Sequence, residues 1–189
     1  IMFSSSNLIN NYSDYYNSNQ KKFLSSISKK YNFDFIFNKI NQLKKLKVLL
    51  IGETIIDQYI FGEVLGKSGK EPHLVLKEGT KENYLGGAAA VANHLSTFCK
   101  EVKFVTLAGE EKDNLNFIKR SLKKNIKVKF FNKKNSPTII KKRFIDKISQ
   151  SKLLGVYSIN EENLQKNLEN RFINCIKKYA SSCDLILVS

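Results

Sequence analysis

An aspartate that follows a buried strand is the first residue whose position suggests chemistry. Val48-Leu49-Leu50-Ile51 is a continuous apolar run that ends at Gly52, and Asp57 comes five residues later. Such a run predicts a strand buried on both faces, which places Asp57 in the first loop. A carboxylate there can accept paired hydrogen bonds from a polyol. An ordinary N-cap or turn aspartate explains the same residue, so both interpretations stay open.

Two glycines before a run of small residues form the second candidate. In Leu85-Gly86-Gly87-Ala88-Ala89-Ala90, the glycines let the backbone approach a ligand closely. The first amides of the helix that follows favour oxygen-rich or anionic groups. A Gly-Gly turn into a tightly packed alanine helix is the alternative. Neither GxGxxG nor GxxxxGK[ST] occurs, so neither a dinucleotide fingerprint nor a P-loop is supported.

A glycine- and lysine-rich stretch over residues 59–76 is the third candidate. Its pattern predicts strand, turn and strand, and the turn carries Lys67 and Lys70. These two cations are suited to meeting a phosphate on a substrate. A polar surface hairpin is the alternative, because loops commonly collect such residues.

The elements that must position these residues alternate between strand and helix from Lys47 onward. Apolar runs and periodicity predict strands over 48–51, 102–107, 126–131, 138–145, 153–158 and 184–188, and helices over 88–98, 113–124 and 161–180. The strands on either side of residues 148–151 are expected to form a hairpin. This alternation predicts an α/β fold with a mostly parallel sheet flanked by helices.

The first 46 residues have a different texture. Residues 1–20 are polar, whereas residues 21–45 carry apolar side chains at steps of three and four, which predicts one or two amphipathic helices. A packing extension is the simpler interpretation and a partner-binding helix the alternative. The predicted division is an extension over 1–46 and an α/β domain over 47–189. Because the chain starts with Ile and stops on an apolar strand, we expect a longer natural chain.

Composition limits the choice of partners. The 189 residues are 42% hydrophobic and carry a formal net charge of +15, as in a globular chain with a basic bias. The positive charge is almost all Lys, while bidentate phosphate and base recognition favours Arg, so a general compositional bias explains it best. Thirteen Lys and Arg against one acid, Asp146, over residues 119–152 keep a nucleic-acid-binding domain as a less favoured alternative.

Cysteine usage indicates the compartment. Cys99, Cys175 and Cys183 are scattered and form no CxxC pair, which does not favour a disulfide framework or a zinc site and makes a reducing cytoplasm the simplest setting. No apolar run approaches the ~18 residues that a membrane span needs. The N-terminal stretch also lacks the apolar core of a signal peptide. We therefore expect a cytoplasmic protein without a membrane partner.

Taken together and in this order, the three candidate segments resemble the ribokinase/PfkB family of carbohydrate kinases. Within it the sequence is similar above all to the D-glycero-β-D-manno-heptose 7-phosphate kinases, the kinase half of bifunctional ADP-heptose synthases. Family members have a strand ending in Gly-Asp, an Asp shortly after it, a lid hairpin with a Pro-containing second strand, and a Gly-Gly-Ala-Ala helix start. Here these are Gly52-Glu53, Asp57, the segment around Pro72 and the helix start at Gly86.

The resemblance covers residues 47–189 and implies the N-terminal part of a ribokinase-like domain. It implies a small β lid at about residues 59–84 and a sugar site between the main sheet and this lid. Asp57 matches the family aspartate that binds sugar hydroxyls. Gly86 and Gly87 match the pair whose amides line the pocket.

The resemblance also implies a phosphate end, cofactors and a partner. Lys141 and Arg143 match basic positions near the sugar phosphate in heptose-phosphate kinases. ATP and Mg²⁺ are the implied cofactors, and a homodimer paired through lid strands is the implied assembly. Family kinases place the catalytic base in a later Gly-Ala-Gly-Asp segment, which does not occur in these 189 residues. We therefore expect the base and the main ATP ligands beyond Ser189, and this chain alone to be inactive.

Three residues depart from the family pattern. Ala90 stands where Asn is usual, Glu53 stands where Asp is usual, and Gly155 replaces a basic residue. These differences leave the sugar and the phosphorylated hydroxyl open. Ala90 and Gly155 also keep a non-catalytic sugar-binding or regulatory relative as an alternative function.

Overall fold

The computed structural model describes residues 16–159 and 161–189. The chain divides into two compact units, Ile1–Gln42 and Leu43–Ser189. All the residues that the sequence singles out as candidate site residues belong to the second unit.

Among its described residues, the first unit contains two helices, α1 (Ser18–Lys30) and α2 (Phe33–Gln42). A capping box begins α1. The Asn17 Oδ1 accepts the backbone N–H of Gln20 at 3.0 Å, and the Gln20 Oε1 accepts the backbone N–H of Asn17 at 2.9 Å. Such reciprocal bonds satisfy two amides that a helix start leaves unpaired. The prediction of one or two helices in this region is confirmed, with two.

The second unit begins with a short 3₁₀ turn and contains seven strands and three helices among its described residues. In chain order these elements are the 3₁₀ turn Leu43–Lys45, β1 (Lys47–Lys67), β2 (Leu74–Gly86), α3 (Gly87–Phe98), β3 (Glu101–Ala108), α4 (Lys112–Ser121), β4 (Ile126–Asn132), β5 (Ile139–Asp146), β6 (Lys152–Ser158), α5 (Lys166–Ala180) and β7 (Leu185–Val188).

Strand β1 passes through two sheets. Its first part, as far as Glu53, pairs in parallel with β3 and β7, so the main sheet has the order β4-β3-β1-β7. Its second part, from Ile55, pairs with β2 and β5, so the lid sheet has the order β2-β1-β5-β6. Thr54 lies at the changeover and is 1% exposed. One strand therefore fixes the register of both sheets.

Helices cover both faces of the main sheet. Leu50 of β1 packs with Ala88, Ala89 and Ala92 of α3. The next residue back along the strand, Leu49, points to the other face and belongs to a cluster packed against α5. Successive side chains of a strand point to opposite faces, so regular strand geometry explains why Leu50 and Leu49 pack against different helices. The predicted α/β fold, a mostly parallel sheet flanked by helices, is confirmed.

The lid sheet is mixed. Its β5 runs parallel to the second part of β1, while β2 and β6 are antiparallel to their neighbours. The register of β1 against β2 shifts twice, between Ile60 and Gly62 and between Val64 and Gly66. Such irregularities bend a strand pair and increase its twist. The predicted hairpin across residues 148–151 is confirmed as the β5–β6 pair.

Three expectations for the first strand and the lid hairpin are wrong. Gly52 does not end the first strand, since it pairs with Thr106 in the main sheet. Asp57 therefore lies inside β1 and not in a loop, because β5 and β2 take over the pairing on both sides. Pro72 lies in the turn before β2 and not in the strand, consistent with a residue that cannot donate to a strand ladder.

Two helices are shorter than predicted. The helix expected over 113–124 ends at Ser121, because the backbone of Leu122 is extended. The helix expected over 161–180 starts at Lys166. The backbone carbonyl of Glu162 accepts a hydrogen bond from the Lys133 ammonium, so a side chain satisfies this carbonyl.

No helix within residues 16–159 and 161–189 is long and apolar enough to cross a membrane. Cys99, Cys175 and Cys183 are free thiols, each half-buried. Burial raises the pKa of the Cys99 thiol, which keeps this sulfur in its less reactive neutral form.

A buried hydroxyl pair at the changeover of β1 yields the first testable prediction. The Thr54 and Thr106 hydroxyls lie 2.8 Å apart, and Thr106 also donates to the Leu107 carbonyl at 3.2 Å. Thr106→Val is expected to lower the free energy of unfolding by about 1–3 kcal/mol, because it deprives the buried Thr54 hydroxyl of its partner. Thr54→Val should cost less, since Thr106 keeps its bond to Leu107. Urea unfolding of both variants checks this order, and a larger loss for Thr54→Val would contradict it.

Candidate functional site

An ion pair on one face of the lid sheet forms the centre of the site. The Arg143 Nη1 donates to the Asp57 Oδ1 at 2.5 Å, and the two side chains are 21% and 24% exposed. In the register of β1 against β5, Asp57 lies opposite Lys141 and Tyr59 opposite Arg143. Arg143 therefore leans two residue pairs along the sheet to reach Asp57. The hydrogen bond with Asp57 raises the pKa of the Arg143 guanidinium, although burial opposes it.

Gly86 makes room for the carboxylate of this pair. A Cβ built on Gly86 would overlap the Asp57 Oδ2 and lie 3.0 Å from its Cγ. Any side chain at this position would displace the carboxylate, because 3.0 Å is closer than ordinary carbon contacts. The Asp57 carboxylate thus has one oxygen on Arg143 and the other against the Gly86 backbone.

Gly87 turns the chain from β2 into α3. Its φ is +53°, which is the left-handed region that favours glycine. A Cβ there would also lie 2.8 Å from the Glu53 carbonyl oxygen. Helix α3 begins here, and a helix start leaves its first backbone N–H groups without intrahelical partners.

Each of the two cations that β5 places on this face lies over an aromatic ring. The Arg143 guanidinium is 5.4 Å from the centre of the Tyr59 ring on β1. The Lys141 ammonium is 5.7 Å from the centre of the Tyr157 ring on β6. The two cations of this face therefore lean toward opposite neighbouring strands, which separates their like charges.

An open groove of about 550 Å³ borders the ion pair. Its lining combines rings, apolar side chains and acidic or amide groups, namely Asp57, Tyr59, Phe61, Glu82, Tyr84, Leu85, Ile145 and Gln150. The Tyr84 hydroxyl donates to the Glu82 carboxylate at 2.5 Å, and this bond is the main cause that raises the pKa of Tyr84. Carbohydrates offer hydroxyls to such acceptors and apolar faces to such rings.

A hydrogen-bonded junction fixes the start of β5 to the loop after β3. The Glu111 Oε2 accepts the Thr138 N–H at 3.2 Å and the Thr138 hydroxyl at 3.0 Å. The Thr138 Oγ1 in turn accepts the Gly109 N–H at 3.1 Å. Thr138 is fully buried. Burial alone would raise the pKa of the Glu111 carboxyl. The hydrogen bonds that the carboxylate accepts have the larger combined effect, so its pKa lies below the usual value.

The structure brings together five of the seven predicted site residues. Asp57, Gly86, Gly87, Lys141 and Arg143 lie where β1, β2, β5 and the start of α3 meet. Their roles toward a ligand stay predictions.

Lys67 and Lys70 lie elsewhere. Lys67 ends β1 ten residues beyond Asp57, roughly 30 Å along an extended strand at about 3.3 Å per residue. Lys70 follows in the exposed turn of the hairpin. Within this chain they do not join Asp57, and their contacts to a ligand also stay a prediction.

Tyr59, Glu82 and Tyr84 were not singled out from the sequence. A period-two pattern links them: Asp57 and Tyr59 are two residues apart on β1, and so are Glu82 and Tyr84 on β2. Once both stretches are known to be strands, this spacing puts all four side chains on one face. In the described part of the chain, no group of three or more His, Cys, Asp or Glu side chains is placed to hold a metal ion.

No family model matches the chain. The chain is 28% identical over 145 residues to the bifunctional protein HldE of Nitratiruptor sp., which covers 77% of this chain and 31% of that protein. It is 34% identical over 146 residues to HldE of Aliarcobacter butzleri, which covers 73% and 30%. The D-beta-D-heptose 7-phosphate kinase of Bordetella bronchiseptica is 26% identical over 115 residues, or 61% and 36%.

Solved structures agree with these relatives. A carbohydrate kinase from Agrobacterium tumefaciens superimposes with a TM-score of 0.54 at 14% identity over 76% of this chain and 45% of that chain. The chain is a relative of the ribokinase-type sugar kinases. The ribokinase of Arabidopsis thaliana complexed with ribose and ATP gives a TM-score of 0.50 at 16% identity, over 76% and 45%. At these identities the structural likeness shows the ribokinase-like fold, as the sequence resemblance predicted.

The ribokinase-like part is incomplete relative to these proteins. The chain spans about a third of the length of the curated relatives that it matches. The match lies in their N-terminal part. The activity of a whole ribokinase-type protein is therefore a proposal for this chain.

The contact between Gly86 and Asp57 predicts a rescue. Gly86→Ala is expected to lower the free energy of unfolding by about 1–3 kcal/mol, because the new methyl group displaces the Asp57 carboxylate in a packed site. In an Asp57→Ala background the same change should cost clearly less, since the obstructing carboxylate is gone. Urea unfolding of the four proteins gives the coupling. If Gly86→Ala lowers the free energy of unfolding equally in both backgrounds, the position of the Asp57 carboxylate does not require a glycine at residue 86.

Proposed function

We propose that this chain is the sugar-binding part of an ATP-dependent kinase that acts on a sugar phosphate of the heptose 7-phosphate type. The observation that carries the proposal is the Asp57–Arg143 pair, held at 2.5 Å beside the Gly86–Gly87 start of α3. It places an acceptor for hydroxyls and a donor for phosphate side by side. The sequence likeness to HldE and to a heptose 7-phosphate kinase supports the same class of substrate.

The carboxylate of Asp57 is the group proposed to orient the sugar. A carboxylate has about four acceptor positions on its two oxygens, and Arg143 occupies one of them at Oδ1. The remaining positions can accept sugar hydroxyls that approach past Gly86. The first amides of α3 would add backbone donors for sugar oxygens, because a helix start leaves its N–H groups unpaired.

Arg143 and Lys141 are the groups proposed to bind the phosphate of the substrate. A guanidinium has five N–H donors, and one of its nitrogens, Nη1, serves Asp57. The other donors can pair with phosphate oxygens, and such charge-assisted bonds are about twice as strong as neutral ones. Lys141 lies on the same face two residues earlier and supplies a second charge.

The chemical step is proposed to use ATP and Mg²⁺ held outside the residues described here. ATP supplies the transferred phosphoryl group and Mg²⁺ neutralises its charge. No described residue is assigned to the catalytic base or to the metal. The proposed contribution of this chain is to orient the acceptor hydroxyl and, through the β1–β2 hairpin, to exclude water.

The lid sheet is also the proposed contact of a homodimer. Among the described residues, β2 pairs only with β1 and β6 only with β5, so both outer edges are open. Open strand edges attract further strands. Leu65, Leu74, Leu154 and Val156 add exposed apolar side chains to this sheet.

A non-catalytic sugar-binding relative is the second candidate function. Gly155 of β6 lies directly opposite Arg143 and adds no third cation to the phosphate end. Ala90 likewise brings no polar group to the first turn of α3. A nucleic-acid-binding function has less support, because several cations of the basic stretch have partners within the chain: Lys127 pairs with Glu101, and Lys119 lies over the Phe130 ring.

Kinase assays on the full-length protein test the proposal. Wild type is expected to phosphorylate heptose 7-phosphate with ATP. Arg143→Gln should lower kcat/KM at least about 30-fold, which corresponds to roughly 2 kcal/mol for a truncated charge pair. The unphosphorylated heptose should be affected less, whereas Asp57→Asn should impair both sugars by about 10²-fold through misplacement of the acceptor.

Glu63→Gln provides the matched control, since Glu63 is an exposed acid on the same strand and should leave the activity unchanged. Absence of phosphorylation by wild type, with saturable sugar-phosphate binding retained, would favour the non-catalytic alternative. Full activity of Asp57→Asn would overturn the proposed site.

A further inference from the structure

The Arg143 guanidinium lies over an aromatic ring that takes no part in the ion pair. Tyr59 lies directly opposite Arg143 in the β1–β5 register, whereas Asp57 lies two residue pairs farther along. The guanidinium lies 5.4 Å from the ring centre of Tyr59 and still donates to Asp57. The Tyr59 ring therefore lies beneath the arginine at the point where it bends toward the carboxylate.

The Tyr59 ring is itself held from two sides. Tyr84 of β2 packs edge-on against it at 5.7 Å between ring centres, with an interplanar angle of 80°. Phe61 lies 6.5 Å away on the same strand. The Tyr84 hydroxyl donates to Glu82, which lies opposite Tyr59 in the register of β1 against β2. Edge-to-face packing fixes ring orientation, so the surface offered to Arg143 is defined before a ligand binds.

Lys141 of the same strand lies over a different ring, on the other neighbouring strand. Lys141 is the direct neighbour of Asp57 in the sheet, yet its ammonium lies over Tyr157 on the opposite side. Arg143 lies opposite Gly155 on that side, and its guanidinium lies over the Tyr59 ring on the other side. Each cation thus lies over the aromatic ring of a neighbouring strand, and the direct neighbour of Asp57 in the sheet is not its ion-pair partner.

We propose that Tyr59 is a positioning residue that selects Arg143 over Lys141 as the partner of Asp57 and turns the remaining guanidinium donors toward the phosphate of the ligand. The role rests on the proposed function of the site. A cation over an aromatic face is attracted by the ring quadrupole, most strongly where water is partly excluded. Arginine also stacks flat on such rings, which lysine does not.

Ligand binding to the full-length protein tests the assignment, with heptose 7-phosphate and unphosphorylated heptose as probes in calorimetric titrations. Tyr59→Leu is expected to weaken heptose 7-phosphate binding about 5- to 30-fold, and unphosphorylated heptose binding by less than about twofold. Tyr59→Phe keeps the ring and should stay within about twofold of wild type for both probes. In an Arg143→Gln background, Tyr59→Leu should cause no further loss, because the cation that it positions is gone.

Phe130→Leu is the matched control, since it removes a ring beneath another cation, Lys119, in the main sheet. It should leave both affinities unchanged. Equal weakening of both probes by Tyr59→Leu would indicate a general structural role and overturn the assignment, as would a Tyr59→Phe loss as large as that of Tyr59→Leu. If wild type does not bind heptose 7-phosphate, the proposed function fails and this assignment fails with it. If Arg143→Gln weakens binding and Tyr59→Leu does not, only the assignment fails.

A crystal structure of the Tyr59→Leu variant gives a readout without ligand. Arg143 is expected to leave the Asp57 Oδ1, and the Lys141 ammonium to come within ion-pair distance of that carboxylate. An unchanged Arg143–Asp57 pair would overturn the assignment even if the affinities change.

Discussion

The continuity of β1 through two sheets is the constraint on which the site depends. Its first part is locked between two parallel strands of the main sheet, and its second part between β2 and β5 of the lid sheet. No flexible connection separates the two parts, because Thr54 at the changeover is buried and hydrogen-bonded to Thr106. The registers of β2 and β5 against β1 therefore decide which side chains meet Asp57. A one-residue slip would turn every one of them to the other face.

Electrostatics then acts on the geometry that this register supplies. Two cations two residues apart on β5 would repel each other if both approached Asp57. The rings of Tyr59 and Tyr157 draw them toward opposite strands, so one cation neutralises the carboxylate and the other stays close without competing for it. Gly86 completes the arrangement, since its missing side chain is what allows the carboxylate to lie against the start of α3. The site is thus prepared by packing before any ligand arrives.

The sequence predicts the local elements well and the long-range pairing poorly. The apolar run at 48–51 and the Gly-Gly-Ala start of α3 predict a buried strand and a helix because both signals are local. The position of Asp57 inside β1 is not predicted, because Gly52 resembles a strand end and the partners that extend the strand lie elsewhere in the chain. The Asp57–Arg143 pair spans 86 residues and follows from parallel pairing that no local pattern encodes. The family resemblance indicates Arg143 as a site residue, whereas the contact of Tyr59 with Arg143 is visible only in the structure.

The most direct test of the account is a crystal structure of the full-length protein with heptose 7-phosphate bound. The account predicts sugar hydroxyls within about 2.5–3.0 Å of the Asp57 carboxylate, and phosphate oxygens within about 2.7–2.9 Å of the Arg143 guanidinium. It also predicts that Arg143 stays over the Tyr59 ring in the complex. A sugar phosphate bound away from Asp57, or bound with its phosphate turned away from Arg143, would contradict it.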